Sequence, residues 1–587
     1  MRLSFADGWV VAGYFVLSGA LGLYFARRAG RSGAEFFTAG RSLPWWLAGT
    51  SMVATTFAAD TPLAVTGLVA QHGIAGNWVW WNMVAGGVLT VFLYSRLWHR
   101  AGVTTDAELT ELRYGGRPAA LLRGFRAAYL ALPINLIVMG WVNLAMVKIL
   151  AVTLGLPPFA AMLALFALTV LYSSASGLWG VVVTDFLQFG VAMAGSVALA
   201  FYAVRAVGGL DALVARLPER YGSTEAALSF FPSGSGWMPL TAFLAYLTVQ
   251  WWATWYPGAE PGGGGYVAQR IFSARSERDG LLATLWFNLA HYAVRPWPWI
   301  LTALAAVVLY PGLTDPSTAY VRAAVDLLPA GVRGLFVAAF AAAYMSTLST
   351  QLNWGASYLV NDLYLRFVRP DATPAQTVRV CRAATVVLFF FSTGTTWVLH
   401  RVGSVEGAWR VLIALGAGTG SVYLLRWFWW RINAWSEISA MAFSLVTFVA
   451  LTALGVFDPG HPLQGAYLML VTTAVTTVGW VAVTLCTAPE SAATLQGFYR
   501  RVRPGGLGWA KVADACGLPR EPVGGGARVF SLWAAGVASV YGALFGVGKL
   551  LLGPRLHALP YLAVSAVAFA FIAVALREQR ATAPEVG

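Results

Sequence analysis

The chain is short of charge. Only 11% of its 587 residues are Asp, Glu, Lys or Arg, against about 25% in ordinary soluble domains, while 58% are hydrophobic and mean hydropathy is +0.65. That excludes an ordinary water-soluble globular protein. Cysteine is scarce as well: Cys381, Cys486 and Cys516 are scattered, lack metal-ligand spacing, form no secreted-type framework and read as packing residues. The six histidines (His72, His99, His291, His400, His461 and His557) show no ligand spacing and no nucleophile motif precedes them, which argues against a membrane enzyme. Lysine occurs only at Lys148, Lys511 and Lys549, so arginine makes up nearly all of the 39 basic residues. These arginines lie between apolar blocks, and the net charge of +14 therefore implies no nucleic-acid partner.

What is present is a series of apolar blocks, most near the roughly 20 residues that span a bilayer. About fifteen can be counted. The first runs from Trp9 to Tyr24; with no basic stretch before it and no cleavage site after it, it reads as a retained helix. Ten more cover about 43–71, 77–98, 120–153, 157–177, 179–205, 237–259, 279–309, 330–365, 377–402 and 405–430, and four follow at 435–456, 464–486, 529–551 and 558–577. With the N-terminus outside and the C-terminus in the cytoplasm, the arginine groups fall on inner connections: Arg100 to Arg126, Arg270 to Arg278, Arg366 to Arg382, Arg426 with Arg431, and Arg500 to Arg503. No soluble catalytic domain is expected.

Two blocks carry breaks: Asp60-Thr61-Pro62 within the second, and Tyr256-Pro257-Gly258-Ala259-Glu260-Pro261 with Gly262 to Gly265 at the end of the seventh. Irregular backbone at membrane depth must be buried in protein or line a cavity, and two breaks five helices apart suit the centre of a five-plus-five inverted repeat. In the ninth block, Ser346, Thr347, Ser349 and Thr350 form an oxygen-lined stripe. Hydroxyls can ligate a hard cation, or they can bond back to carbonyls and join two helices. Asp185 lies about two turns inside the sixth block beside Thr184, where an ionised carboxylate is costly. A bound cation or an arginine partner would offset that cost.

At these residues the chain resembles the sodium:solute symporter family, which includes sodium/glucose, sodium/proline and sialic acid transporters. The resemblance rests on Phe36-Phe37-Thr38-Ala39-Gly40-Arg41, Leu43-Pro44-Trp45-Trp46, Gly177-Leu178-Trp179 with Thr184-Asp185, Tyr266-Val267-Ala268-Gln269-Arg270, the Ser346 to Asn353 stripe and Asn361-Asp362-Leu363-Tyr364. It implies an all-α polytopic transmembrane bundle with a ten-helix inverted-repeat core, preceded by one extra helix and followed here by about four. The implied divisions are 1–42, a transport core at 43–431 with repeats at about 43–205 and 237–431, and 432–587 with a cytoplasmic basic loop at about 488–528. It also implies a sodium site of the Ala54, Phe57 and Ala343 carbonyls with the Ser346 and Thr347 hydroxyls, and a second, present in some members, at Asp185, Ser346, Ser349 and Thr350.

The acidic-Gln pair usual in the family after the first break is Asp60-Thr61 here, and glycines replace the usual Asn-Gln before Tyr266. Solute candidates are Asp60, Thr61, Trp80, Asn82, Trp255, Glu260, His291 and Arg295, with Trp78 and Trp81 either joining them or forming an interfacial belt. Arg295 would meet a substrate anion or neutralise Asp60 or Glu260. The expected function is sodium-coupled symport of a small polar solute (sugar, amino acid or organic anion) through alternating access, in contact with membrane lipid. A transporter-fold sensor, a proton-coupled symporter and a channel are the competing readings.

Overall fold

The structure is a computed structural model that describes residues 3–153, 157–234, 236–254, 260–402, 416–458, 460–523 and 526–581. Among these residues the chain is helical, with isolated bridges but no sheet. Ten helices are long and apolar enough to cross a membrane, or eleven if one bent pair counts as a span. In chain order the principal helices are α1 (Phe5–Ala29), the bent pair α2 (Trp45–Thr56) and α3 (Thr61–His72), α4 (Gly116–Thr153), α5 (Pro158–Val207), α6 (Gly265–Ser273) and α7 (Glu277–Leu309). They continue with α8 (Val332–Val368), α9 (Pro374–Arg401), α10 (Ala434–Ala453), α11 (Gln464–Cys486), α12 (Ala492–Val502), α13 (Arg528–Leu552) and α14 (Arg555–Glu578).

Several expected blocks take another form. The third and seventh are chains of short pieces with π-helical turns at Thr90–Tyr94 and Tyr246–Gln250 rather than straight spans. The fifth and sixth, expected to divide at 177–179, are two helical stretches that follow each other without a loop in α5 and are separated by non-helical backbone at Gly177. Gly177 has φ 56°, and a Cβ there would stand 2.8 Å from the Phe36 carbonyl oxygen, so only glycine suits the bend. Residues 403–415, most of the first half of the expected eleventh block, and 255–259 lie outside the described residues.

Packing centres on α5 and α8, with α1 laid across both and α2 wedged between α5 and α7. Gly49 of α2 makes the last approach feasible, since a Cβ would sit 2.5 Å from the Ala283 carbonyl oxygen. Asp7 of α1 receives the backbone N–H groups of Gly331 and Gly334, both at 2.7 Å, and so satisfies donors at the start of α8. α10 pairs with α11, and α13 with α14.

Several arginines assigned to inner connections are in fact buried inside the bundle, because acids elsewhere in the fold compensate them. Arg123 pairs with Asp362 at 2.7 Å, Arg126 with Glu437 at 3.0 Å, and Arg426 with the same Glu437 at 3.2 Å. The basic loop is likewise folded: α12 buries Leu495, Phe498, Tyr499 and Val502, and Arg501 donates to the Gly102 carbonyl at 3.1 Å. Trp78 and Trp81 form no interfacial belt, because both are buried, Trp78 among Phe231, Phe243, Tyr541 and Phe545. Cys381 is buried as a packing residue would be, whereas Cys486 is exposed.

Candidate functional site

The α2–α3 break has a local cause. Pro62 in the first turn of α3 has no N–H and would crowd the carbonyl four residues back, so the helix turns by 59°. Phe57, with φ −92° and ψ 65°, ends α2; its N–H still donates to the Val53 and Ala54 carbonyls, both at 3.0 Å, while the Thr55 carbonyl receives no backbone N–H among the described residues. These carbonyls carry the negative end of the α2 dipole.

The hydroxyl stripe of α8 fills that gap. Ser346 donates to the Ala54 carbonyl at 3.0 Å and to the Ala343 carbonyl at 3.1 Å, while Thr347 donates to the Thr55 carbonyl at 2.9 Å and also to Ala343 at 3.1 Å. Ala54, Ala343, Ser346 and Thr347 are therefore brought together as expected. Phe57 supplies the bend, and Thr55, missed in the sequence, adds a carbonyl. Neighbouring oxygens around a cation at about 2.4 Å lie roughly 3.4 Å apart. These oxygens need part by only a few tenths of an ångström to enclose one.

The second constellation is also assembled, with an arginine inside it. The Ser51 hydroxyl donates to Asp185 Oδ2 at 2.6 Å, and Thr55 donates to Thr350 at 3.0 Å. Arg270 of α6 donates to Thr350 at 2.7 Å and to Ser51 at 3.2 Å, and its Nη2 lies 3.7 Å from Asp185 Oδ2. Asp185 Oδ1 has no hydrogen-bond partner among the described residues. Ser349 bonds back to the Ser346 carbonyl at 3.1 Å. Asp185 thus has the arginine partner allowed by the sequence reading, supplied by the Gln269-Arg270 motif. Gln269 in turn donates to Asn353 at 3.0 Å, so two of the motifs meet here.

On the other side of the break Thr56 faces α7. Its hydroxyl lies 2.9 Å from His291 Nδ1 and accepts from Arg295 Nη1 at 2.9 Å. Trp80 stands edge-on to His291 at 5.6 Å and stacks on Tyr292 at 5.7 Å. Asp60 and half-buried Thr61 lie at the break itself, with Thr61 donating to the Thr56 carbonyl at 3.4 Å. Trp80, His291, Arg295, Asp60 and Thr61 therefore share one region.

The Asn82 amide nitrogen donates to the Trp78 and Val79 carbonyls in its own broken helix, while its Oδ1 has no hydrogen-bond partner among the described residues. Glu260 is set apart. It lines a cavity of about 20 Å³ with Thr90, Thr284, Asn288 and Tyr292, room for about one water, and lies 3.8 Å from Arg126. Trp255 lies outside the described residues. Gly264 lets the chain fold over Glu260, for a Cβ there would lie 1.6 Å from its carboxylate.

A helical bundle built round a broken helix, with hydroxyls facing the carbonyls at the break, is an architecture that secondary carriers share. The chain belongs to the sodium:solute symporter family, whose model matches residues 36–443. Among its relatives, the rabbit (Oryctolagus cuniculus) sodium/glucose cotransporter 1 is 26% identical over 73% of this chain and 69% of its own length. The Vibrio parahaemolyticus sodium/glucose cotransporter is 26% identical over 76% of this chain and 84% of its own. The Bos taurus sodium/mannose cotransporter is 26% identical over 78% and 82%. In structure the chain resembles a substrate-bound, outward-open sodium-coupled sialic acid symporter (TM-score 0.68, 18% identity, 84% of this chain and all of the other), which shows the fold.

Proposed function

We propose that this chain moves a small polar organic solute across a membrane together with sodium, the ion held by the carbonyls of Ala54, Thr55 and Ala343 and the hydroxyls of Ser346 and Thr347. The observation that carries this reading is the pairing of both hydroxyls with the last carbonyls of α2 at the helix break, Ser346 with Ala54 and Thr347 with Thr55. Hydroxyls and carbonyls suit a monovalent hard cation because they solvate it without adding a buried negative charge. The solute, a sugar, amino acid or organic anion, occupies the region of Thr56, Asp60, Trp80, His291 and Arg295. Alternating access is a relative movement of the core, residues 43–431, about this point, with the N-terminus outside and the C-terminus in the cytoplasm.

A second sodium at Asp185, Ser349 and Thr350 competes with Arg270, whose guanidinium already bonds Thr350 and neutralises the acid. The second ion enters only when Arg270 withdraws.

The test is the thermal stability of the purified protein in sodium chloride against choline chloride. Sodium at one hundred times its Kd stabilises by about 2.7 kcal/mol, and Ser346→Ala with Thr347→Val removes that gain. An equal melting temperature in both salts would refute the sodium site. Sodium-driven uptake into vesicles, and counterflow of the same solute, distinguish a carrier from a sensor and from a channel.

A further inference from the structure

We propose that Arg295 is the docking point for a carboxylate on the transported solute, so that the solute is a small organic acid or amino acid rather than a neutral sugar; this rests on the symport reading above. Arg295 is 2% exposed. Its Nη1 donates to Thr56 at 2.9 Å, its Nε to the His291 carbonyl at 3.2 Å, and its Nη2 lies 3.2 Å from His291 Nε2. The guanidinium also lies over the Trp299 ring, 5.2 Å from its centroid. All of these partners are neutral. Among the described residues, no carboxylate lies within 4.0 Å of it.

The other buried arginines are treated differently. Arg123, Arg126, Arg270 and Arg426 each have a carboxylate within that distance, and Arg113 is held by the carbonyls of Arg426, Trp429 and Trp430. Arg295 has no carboxylate within that distance and a single carbonyl, that of His291, and two of the five N–H groups of its fork have no assigned acceptor. Asp60, across the break, is close enough to feel its charge yet lies beyond ion-pair distance, with Oδ1 unpartnered and the residue 7% exposed. A buried planar fork with two open donors and no carboxylate within ion-pair distance matches the geometry of a carboxylate ligand.

The surroundings suit such a ligand. Trp80, His291 and Phe287 make an aromatic wall for its apolar remainder. Thr56, which holds the guanidinium, follows Thr55, whose carbonyl belongs to the ion cradle. An anion on Arg295, which is bonded to Thr56, and a cation on the Thr55 carbonyl would then lie beside neighbouring residues of α2, each lessening the other's burial cost.

The experiment is a thermal-shift titration of the full-length protein in sodium chloride with acetate, the smallest carboxylate fragment, against acetamide and glucose, using wild type, Arg295→Gln and Arg295→Lys. Acetate is expected to raise the melting temperature while acetamide and glucose do not. Arg295→Gln should weaken acetate at least about tenfold yet keep its stabilisation by sodium, which also shows that it folds. Should the glutamine variant not fold, Arg295→Lys, which keeps the charge but loses the fork, is expected to weaken acetate by about threefold or more. No effect of acetate, an equal effect of acetamide or glucose, or an acetate effect unchanged in both variants would overturn the proposal. Failure of sodium itself to stabilise the wild type would count against the symport reading instead.

Discussion

Two neighbouring threonines divide the work at the α2–α3 break. Thr55 turns its carbonyl to α8 and Thr56 its hydroxyl to α7, although nothing in the pair's sequence says which way each one faces. The α8 stripe was legible because four hydroxyls in five residues recur on one helical face. Ser51 and Arg270 were not, since their roles depend on α2 and α6 meeting α5 in space. Asn82 was singled out because it follows three tryptophans, but the sequence did not show that its amide nitrogen is taken up by the broken helix it sits in. For Asp185 the expected outcome of substitution by alanine follows from Arg270. Removing the acid strands a buried guanidinium, so Asp185→Ala should destabilise by about 3–5 kcal/mol, and Asp185→Ala with Arg270→Met should recover part of that loss. If the second ion site operates, Asp185→Ala also lowers the number of sodium ions moved per solute, measured as charge per solute in proteoliposomes. An unchanged ratio and sodium affinity would remove that site from the mechanism.

Among the elements, breaks carry the most information. Pro62 and the glycine run before α6 announced irregular backbone in the sequence, and the structure bends α2 into α3 by 59° and runs Gly262, Gly263 and Gly265 through positive φ. The short pieces over 74–101 and 240–254 were not legible as such, because an apolar run has the same composition whether it is straight or interrupted. Gly177 was visible only as a motif, and its reason lies in the close pass of the Phe36 carbonyl under α5. Gly177→Ala should cost about 1–3 kcal/mol from backbone strain and lower the melting temperature in sodium and choline alike. A loss confined to sodium would mean that the bend serves the ion site rather than the fold.

At the scale of the whole molecule, the polytopic class followed from the series of apolar blocks and the all-helical bundle from the family resemblance, but the charges that join its parts did not. Glu437 of α10 reaches back into the core, meeting Arg126 at 3.0 Å and Arg426 at 3.2 Å and accepting from Tyr114 at 2.6 Å. Neither the sequence separation nor the flanking residues reveal that one acid serves two arginines. Glu437→Gln should leave Arg426 without a carboxylate and Arg126 with only its longer contacts to Asp106 (3.5 Å) and Glu260 (3.8 Å), and destabilise the protein by about 3–5 kcal/mol, read as a lower melting temperature and a smaller monodisperse fraction in size-exclusion chromatography. A variant as stable as the wild type would mean that α10 is not anchored through this acid.

The clasp between Asp7 and the opening turn of α8 has an experimental use. Two short bonds to Gly331 and Gly334 make α1 a passenger of the helix that bears the hydroxyls, and Trp9, two residues further on, is 65% exposed. A spin label or fluorophore at position 9 would report the tilt of α8 from outside the bundle, leaving the interior chemistry untouched.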